Sequence, residues 1–509
     1  MSRPWPLRSA LTLTLTMLLL AGCAQTGPAP EEISGGILIS NVTVVDTRDG
    51  TLRSAQAIHI DGGRIRRIAP NAVPRAGSGV RTVDGSGKFA VPGFLDMHTH
   101  AMVAADRSPS YWPLLIANGV TGVREMAGSP ELIQRVRALN AQSQAGVVMA
   151  PEVLMIPGRL VAGLAPTPAA VAGVVQQNKA DGADFIKLVG ASRPATLALL
   201  AEAKVQGLTV AGHLPLGLSA LEASAAGMRA IEHYGAGLGV LLDCAGEEER
   251  IRTALLGGEG AKPPPGPLFV LTPMLFRELD APFYRRVLDS YSAAKCRNLA
   301  RSLVQNQTWQ VPTLIRLKTM QQSDDPVFRG AASLKYMDKA TRALWEQLAK
   351  QYGRDISPQA AATFRAFYDQ QLKLTALMAA EGVPMLAGSD LGGIWVVPGF
   401  SLQQEFLELA AGGLNPLQVL QATTLNGARF LGRQAAMGSV AEGFNADLVL
   451  LDANPLQDVA HLSRIHAVFL KGRHLDRAAL DRMLGDVADA LERQPIHAAS
   501  HALDPNHTH

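Results

Sequence analysis

The chain has 509 residues, of which 47% are hydrophobic and 18% charged, the latter below the roughly 25% of an average globular chain. Such a composition excludes a disordered or fibrous chain and permits a large core. Lys and Arg number 47 against 44 Asp and Glu, a formal net charge of +3; with no basic run, this argues against a nucleic-acid partner.

Arg3 and Arg8 precede an apolar run over residues 10–20. The run is too short to cross about 30 Å of hydrocarbon as a helix, but it has the length of a secretory h-region. Its end, Leu20-Ala21-Gly22-Cys23, resembles a bacterial lipoprotein lipobox. The resemblance implies a signal peptide over 1–22, a lipid on Cys23 and a tether over 23–36 rich in Gly, Pro, Ser and Glu. It further implies a lipid-anchored protein of the bacterial envelope that faces the periplasm, with Ala24 pointing to the outer membrane. Beyond Cys23 only Cys244 and Cys296 remain. An oxidising compartment permits a bridge between them, and two buried thiols are the alternative.

Residues 37–83 hold short alternating runs rich in β-branched residues, separated by turns such as Asp61-Gly62-Gly63. The pattern predicts strands. Similar runs return at 446–452 and 466–470, so segments 37–88 and 436–475 are expected to form one small β-sandwich domain. Between them, over 89–435, buried-type strands are predicted at 89–95, 120–126, 147–156, 185–189, 208–212, 230–232, 310–314 and 383–387. Helical periodicity intervenes, as at 131–140, 194–206 and 218–226. This α/β alternation predicts a (β/α)8 TIM barrel. Residues 235–309 form an insertion on it, 331–380 a helical excess, and 476–509 a C-terminal helix and tail.

Between residues 60 and 460 the chain has four histidines: His98, His100, His213 and His233. Each ends a predicted strand, where barrel enzymes gather their catalytic groups. His98 and His100 are two apart on an extended segment and face the same way, and imidazole suits zinc and related ions. Asp390 follows the eighth predicted strand; taken alone, it reads equally well as a helix N-cap. Lys187 lies near the end of the fourth, where a structural ion pair is the plain alternative. Its ammonium has no lone pair and cannot ligate a metal unless its chemistry changes.

The stretch Pro92-Gly93-Phe94-Leu95-Asp96-Met97-His98-Thr99-His100 resembles the first-strand signature of the amidohydrolase superfamily. Asn118-Gly119-Val120-Thr121-Gly122-Val123-Arg124, Gly212-His213-Leu214-Pro215, Ile231-Glu232-His233 and Ala387-Gly388-Ser389-Asp390 match later strands. The chain looks most like the imidazolonepropionase-related and prolidase-like branch. That resemblance implies two divalent metals, zinc foremost. His98, His100 and Asp390 would hold one, His213 and His233 the other, and a carbamate formed on Lys187 by carbon dioxide would bridge both. It implies a metal-bridging hydroxide as nucleophile, Asp390 as proton shuttle and Tyr234 as an oxyanion donor.

Arg124 is a candidate for a substrate carboxylate, with an ion pair to Glu125 or Asp96 as the alternative. After His213, Leu214-Pro215-Leu216 replaces the Glu expected of deaminases. The expected activity is therefore hydrolysis of a linear amide in a small molecule, such as a dipeptide (Xaa-Pro or Xaa-Arg in type) or an N-acyl amino acid. A cyclic amide hydrolase or deaminase is the alternative, and a non-catalytic, surface-anchored binding protein is the rival of another class. His497, His501, His507 and His509 are read as a solvated tail. Oligomeric state leaves no trace in the sequence.

Overall fold

The structure is a computed structural model describing residues 31–103, 108–262 and 272–494. The expected signal peptide, Cys23 and the tail histidines lie outside the described residues. Among the described residues no helix is long and apolar enough to cross a membrane.

The centre is α/β. One parallel sheet pairs Phe94–Thr99, Val120–Glu125 and Glu152–Met155. A second runs through Val161–Ala162, Ile186–Gly190, Val210–Gly212, Ala230–Glu232 and Trp309–Val311. Single parallel bridges continue the same order, at Pro157–Phe185, Gln310–Met385 and Thr99–Leu391. The helices between them start where local chemistry directs. Ser129, Thr167, Ser357 and Asn415 each accept a backbone N–H of the first turn and are followed directly by Pro. A proline there gives up only an amide that had no helical partner.

Several expected strands change on folding. The run 89–95 divides at Gly93, so that Phe89–Pro92 enters a different sheet from Phe94–Thr99. A Cβ on Gly93 would lie 2.1 Å from Thr121 Oγ1, so only glycine fits the crossing. In 147–156 the strand is confined to Glu152–Met155, and in 310–314 to Trp309–Val311, with Leu314 already helical. Segment 383–387 forms no ladder, only the bridge at Met385.

The two ends of the chain share one sheet. Leu448–Leu451 pairs antiparallel with Phe89–Pro92, which lies beside Ile37–Val45. Eight strands are hydrogen-bonded into this one sheet. Its alternation still buries both faces. Leu448 and Leu450 join a cluster with Ile58 and Phe469, whereas Val449 and Leu451 point into the main core. Period two along the strand separates the sets. The tether expected over 23–36 also ends early, because Glu31–Ile33 pairs with Pro74–Ala76.

The insertion folds into helices, among them Gly239–Asp243, Glu248–Leu256, Ala281–Asp289 and Ala293–Gln305. Cys244 and Cys296 are disulfide-bonded across 52 residues, which decides between the bridge and the two thiols. Closing a loop of that length stabilises a chain by about 4 kcal/mol in the entropy model. Cys296→Ala is accordingly expected to lower unfolding stability by up to that amount in oxidising buffer. Denaturant midpoints that coincide with and without the bridge would contradict this.

Candidate metal centre

His98 and His100 end the strand Phe94–Thr99, and Asp390 ends the bridging segment beside it. The Asp390 N–H donates to the His98 carbonyl at 2.9 Å. Gly388 permits this approach, since a Cβ there would lie 2.8 Å from His98 Cβ. Asp96 locks the same junction, accepting from Ser389 N at 2.9 Å. Burial lifts the Asp96 carboxyl to about 6 against those bonds.

Asp390 Oδ1 lies 3.2 Å from His100 Nε2 and 3.4 Å from His98 Nε2, and Oδ2 lies 3.7 Å from His233 Nε2. Ligand atoms of His98, His100 and Asp390 all fall within 4.8 Å of one another. The His213 ring is 5.3 Å from that of His233, which is 4.5 Å from that of His98. Lys187 pairs in register with Ala211, two residues before His213. Its charge acts on the rings of His98, His213 and His233. All six expected ligands therefore meet at one end of the parallel strands.

Their protonation suits a cation. The His98 Nδ1–H faces Glu232 Oε2 at 2.7 Å, which leaves a lone pair on Nε2. Thr313 donates its hydroxyl proton to Pro312 O, so its oxygen accepts from His233 Nδ1 at 2.6 Å. His233 Nε2 is then also free to ligate. Burial holds both rings well below the ordinary histidine value despite the attraction of Asp390. Burial opposes ionisation of Asp390, yet His233, His98 and His100 keep its carboxyl well below the usual range.

The donor set passes a simple test for metal. His98 Nε2 and Lys187 Nζ are buried without a hydrogen-bond partner, an arrangement that costs about 1–3 kcal/mol per group if nothing fills it. An ion at the imidazole lone pairs satisfies the first. Burial pulls Lys187 down to about 8, against the pull of Glu232 and Asp390, so its neutral amine is accessible near neutrality. The backbone is strained at the same place. His233, Tyr234, Thr313 and Asp390 all have φ between 46° and 56°, a left-handed conformation rare for side-chain-bearing residues and concentrated at functional sites.

Arg124 and Tyr234 sit differently from expectation. Arg124 is fully buried, and its Nη2 donates to both Glu232 oxygens at 2.8 and 2.9 Å. The ion-pair alternative is what the fold displays, with Glu232 as partner rather than Glu125 or Asp96. The Tyr234 hydroxyl is 2.6 Å from Thr375 Oγ1. Thr375 gives its own proton to Gln371 O, so the phenol proton is engaged there and not at an oxyanion.

The sequence reading missed Glu232, Thr313 and Arg316. Arg316 Nε approaches Asp390 Oδ2 at 3.3 Å. Glu232 carried a usable signal, a charge within the apolar strand Ala230–Glu232. Thr313 and Arg316 carried none.

A family model described as Amidohydrolase family matches residues 367–475. Ochratoxinase of Aspergillus niger is 31% identical over 123 residues, 24% of each chain. Imidazolonepropionase of Herpetosiphon aurantiacus is 32% identical over 130 residues, 26% of this chain and 28% of that one. The chain thus spans about a quarter of the length of the curated relatives it matches. Among solved structures, a bottromycin amidohydrolase superposes with a TM-score of 0.66 at 22% identity, covering 89% of this chain and 90% of its own. A Xaa-Pro dipeptidase with methionine in its active site gives 0.58 at 18% identity, over 86% and 99%. These likenesses show the fold.

Proposed function

We propose that this chain is a metal-dependent hydrolase of the amidohydrolase superfamily that cleaves carbon–nitrogen bonds, and that its substrate is a linear amide of dipeptide or N-acyl amino acid type. The observation that carries the reading is the convergence of His98, His100 and Asp390 within 4.8 Å, with buried Lys187 beside them. The family match over 367–475 and the amidohydrolase fold support it. The bridges at 385 and 391 support a (β/α)8 barrel with 383–391 as its eighth stave.

In this reading His98, His100 and Asp390 hold one divalent ion, while His213 and His233 hold a second. Lys187 would become an anionic ligand for them once its neutral amine had added to carbon dioxide and released a proton. Zinc fits this nitrogen- and oxygen-rich set. Two such ions supply an activated water at neutral pH and polarise the scissile carbonyl. Asp390 would take the proton of the attacking water and return it to the departing amine nitrogen. Glu232 and Thr313 fix the tautomers of His98 and His233, and Arg316 steadies Asp390. Envelope anchoring through Cys23 belongs to the same proposal. It rests on the sequence, and the disulfide is in keeping with an oxidising compartment.

Zinc-replete protein is expected to hydrolyse at least one member of a panel of dipeptides and N-acyl amino acids. Chelation should abolish turnover and zinc restore it. Ammonia release from a ring amine, with every linear amide left intact, would replace this reading by deamination.

A further inference from the structure

Beside the metal centre the molecule contains a cavity of about 290 Å3. It begins where the ligand-bearing loops end: Leu214 follows His213, and Ala236 to Gly239 follow His233 closely. The two loops are bonded to each other, Leu214 N to Gly235 O at 3.2 Å. Apolar side chains form its walls, chiefly Leu214, Leu238, Leu242 and Phe283, all buried. Its two arginines are neutralised from within the protein. Arg252 pairs with Asp243 at 2.6 Å and Arg277 with Asp280 at 2.9 Å. Tyr284 also lines the cavity. It is 4% exposed, and its hydroxyl has no hydrogen-bond partner among the described residues. The wall is clamped from behind, because the helix Gly239–Asp243 runs directly into bridged Cys244.

We infer that this cavity is the specificity subsite of the enzyme and that it takes one large uncharged side chain of the amide substrate, with the Tyr284 hydroxyl as a polar anchor. The inference rests on the amide-hydrolase reading above and adds the class of side chain. Three observations point the same way. The volume lies just below the about 300–1,000 Å3 of pockets that enclose whole ligands, so it fits a side chain rather than a complete substrate. Most of the wall is apolar, its cations are already paired and its one further carboxylate, Glu259, is exposed, so a charged group seated among the buried leucines and Phe283 would be desolvated without compensation. Its lining starts one residue beyond His213 and three beyond His233, so the two loops that carry these histidines also shape the cavity.

The test is kinetic, with a binding arm. Zinc-replete protein is offered Xaa-Ala and Ala-Xaa dipeptides in which Xaa is Gly, Leu, Phe, Glu or Lys. On one side of the bond, kcat/KM for Leu and Phe should exceed that for Gly by about 10- to 100-fold, the value of burying such a side chain. Glu and Lys should gain nothing over Gly. Leu255→Trp, which fills the cavity from the end of Glu248–Leu256, should reduce the Phe-to-Gly ratio at least tenfold. Phe283→Ala, which enlarges it, should move the optimum to a bulkier side chain, and this holds even if the first variant does not fold. Calorimetry on metal-free protein should detect N-acetylphenylalanine amide but not N-acetylglycine amide. Equal rates for Gly and Phe on both sides of the bond would overturn the subsite and leave the amide-hydrolase reading intact. If no dipeptide is cleaved, that reading fails by itself and calorimetry decides the subsite. Equal binding of the two amides, or preference for a charged side chain, overturns it.

Discussion

Lys187→Ala should lose amide hydrolysis by about three orders of magnitude and fall from two bound metals to one or none, while the apo protein unfolds no earlier than the parent. The three parts have one cause. A lysine that bridges two ions contributes several kcal/mol of charge stabilisation to the reaction, and each 1.36 kcal/mol is tenfold in rate. Without metal, however, Lys187 is a liability to the fold: a buried amine with no hydrogen-bond partner, drawn down to about 8 by its burial. Alanine removes that desolvation penalty at the expense of a small cavity. Elemental analysis, steady-state kinetics and denaturant unfolding read the parts separately. Full activity in the variant would end the two-metal reading. A large loss of apo stability would instead make Lys187 a structural ion-pair residue.

Glu232→Gln carries the second large effect, on stability as well as on the site. The carboxylate stands between the Arg124 guanidinium and His98 Nδ1, with all three side chains buried. An amide keeps the shape but leaves Arg124 as an uncompensated buried cation, and breaking such a pair costs about 3–5 kcal/mol. The amide nitrogen can also face the imidazole and reverse its tautomer, which should weaken metal affinity by about 10- to 100-fold. Pairing the change with Arg124→Met makes a double-mutant cycle. The double variant should be more stable than the sum of the singles predicts, because the second change removes the stranded charge. Strict additivity would show that the two residues are not coupled.

The residues proposed as ligands were legible in the sequence because rare residue types fell at a special phase of a regular pattern. Four histidines and one aspartate each followed a short apolar run, and such runs in a βα alternation end on the face where loops converge. The positions that orient them were harder to see. Thr313 and Arg316 belong to a turn and a helix start whose local pattern is ordinary, and their importance arises only when the chain brings His233 and Asp390 to them. Glu232 was visible as a buried acid next to His233, but its link to Arg124 crosses from one strand to another. Tyr234 is the converse case: adjacency to His233 suggested chemistry, and in the folded chain its hydroxyl lies 2.6 Å from Thr375 Oγ1. The unbroken apolar run through Pro92-Gly93-Phe94 hid the change of sheet, since hydrophobicity is continuous across it and only the proline–glycine pair marks the crossing. The sandwich expectation met a related limit: period two tells which residues face inward, not how many sheets the strands compose.

The crossing at Gly93 also bears on biosynthesis. Phe89–Pro92 leaves the ribosome more than 350 residues ahead of its partner Leu448–Leu451. Until then an apolar edge remains open immediately upstream of the first two histidines, a template for pairing with other nascent chains. This sheet therefore cannot be completed from its amino end forward; its central edge stays uncovered until the strand at 448–451 arrives.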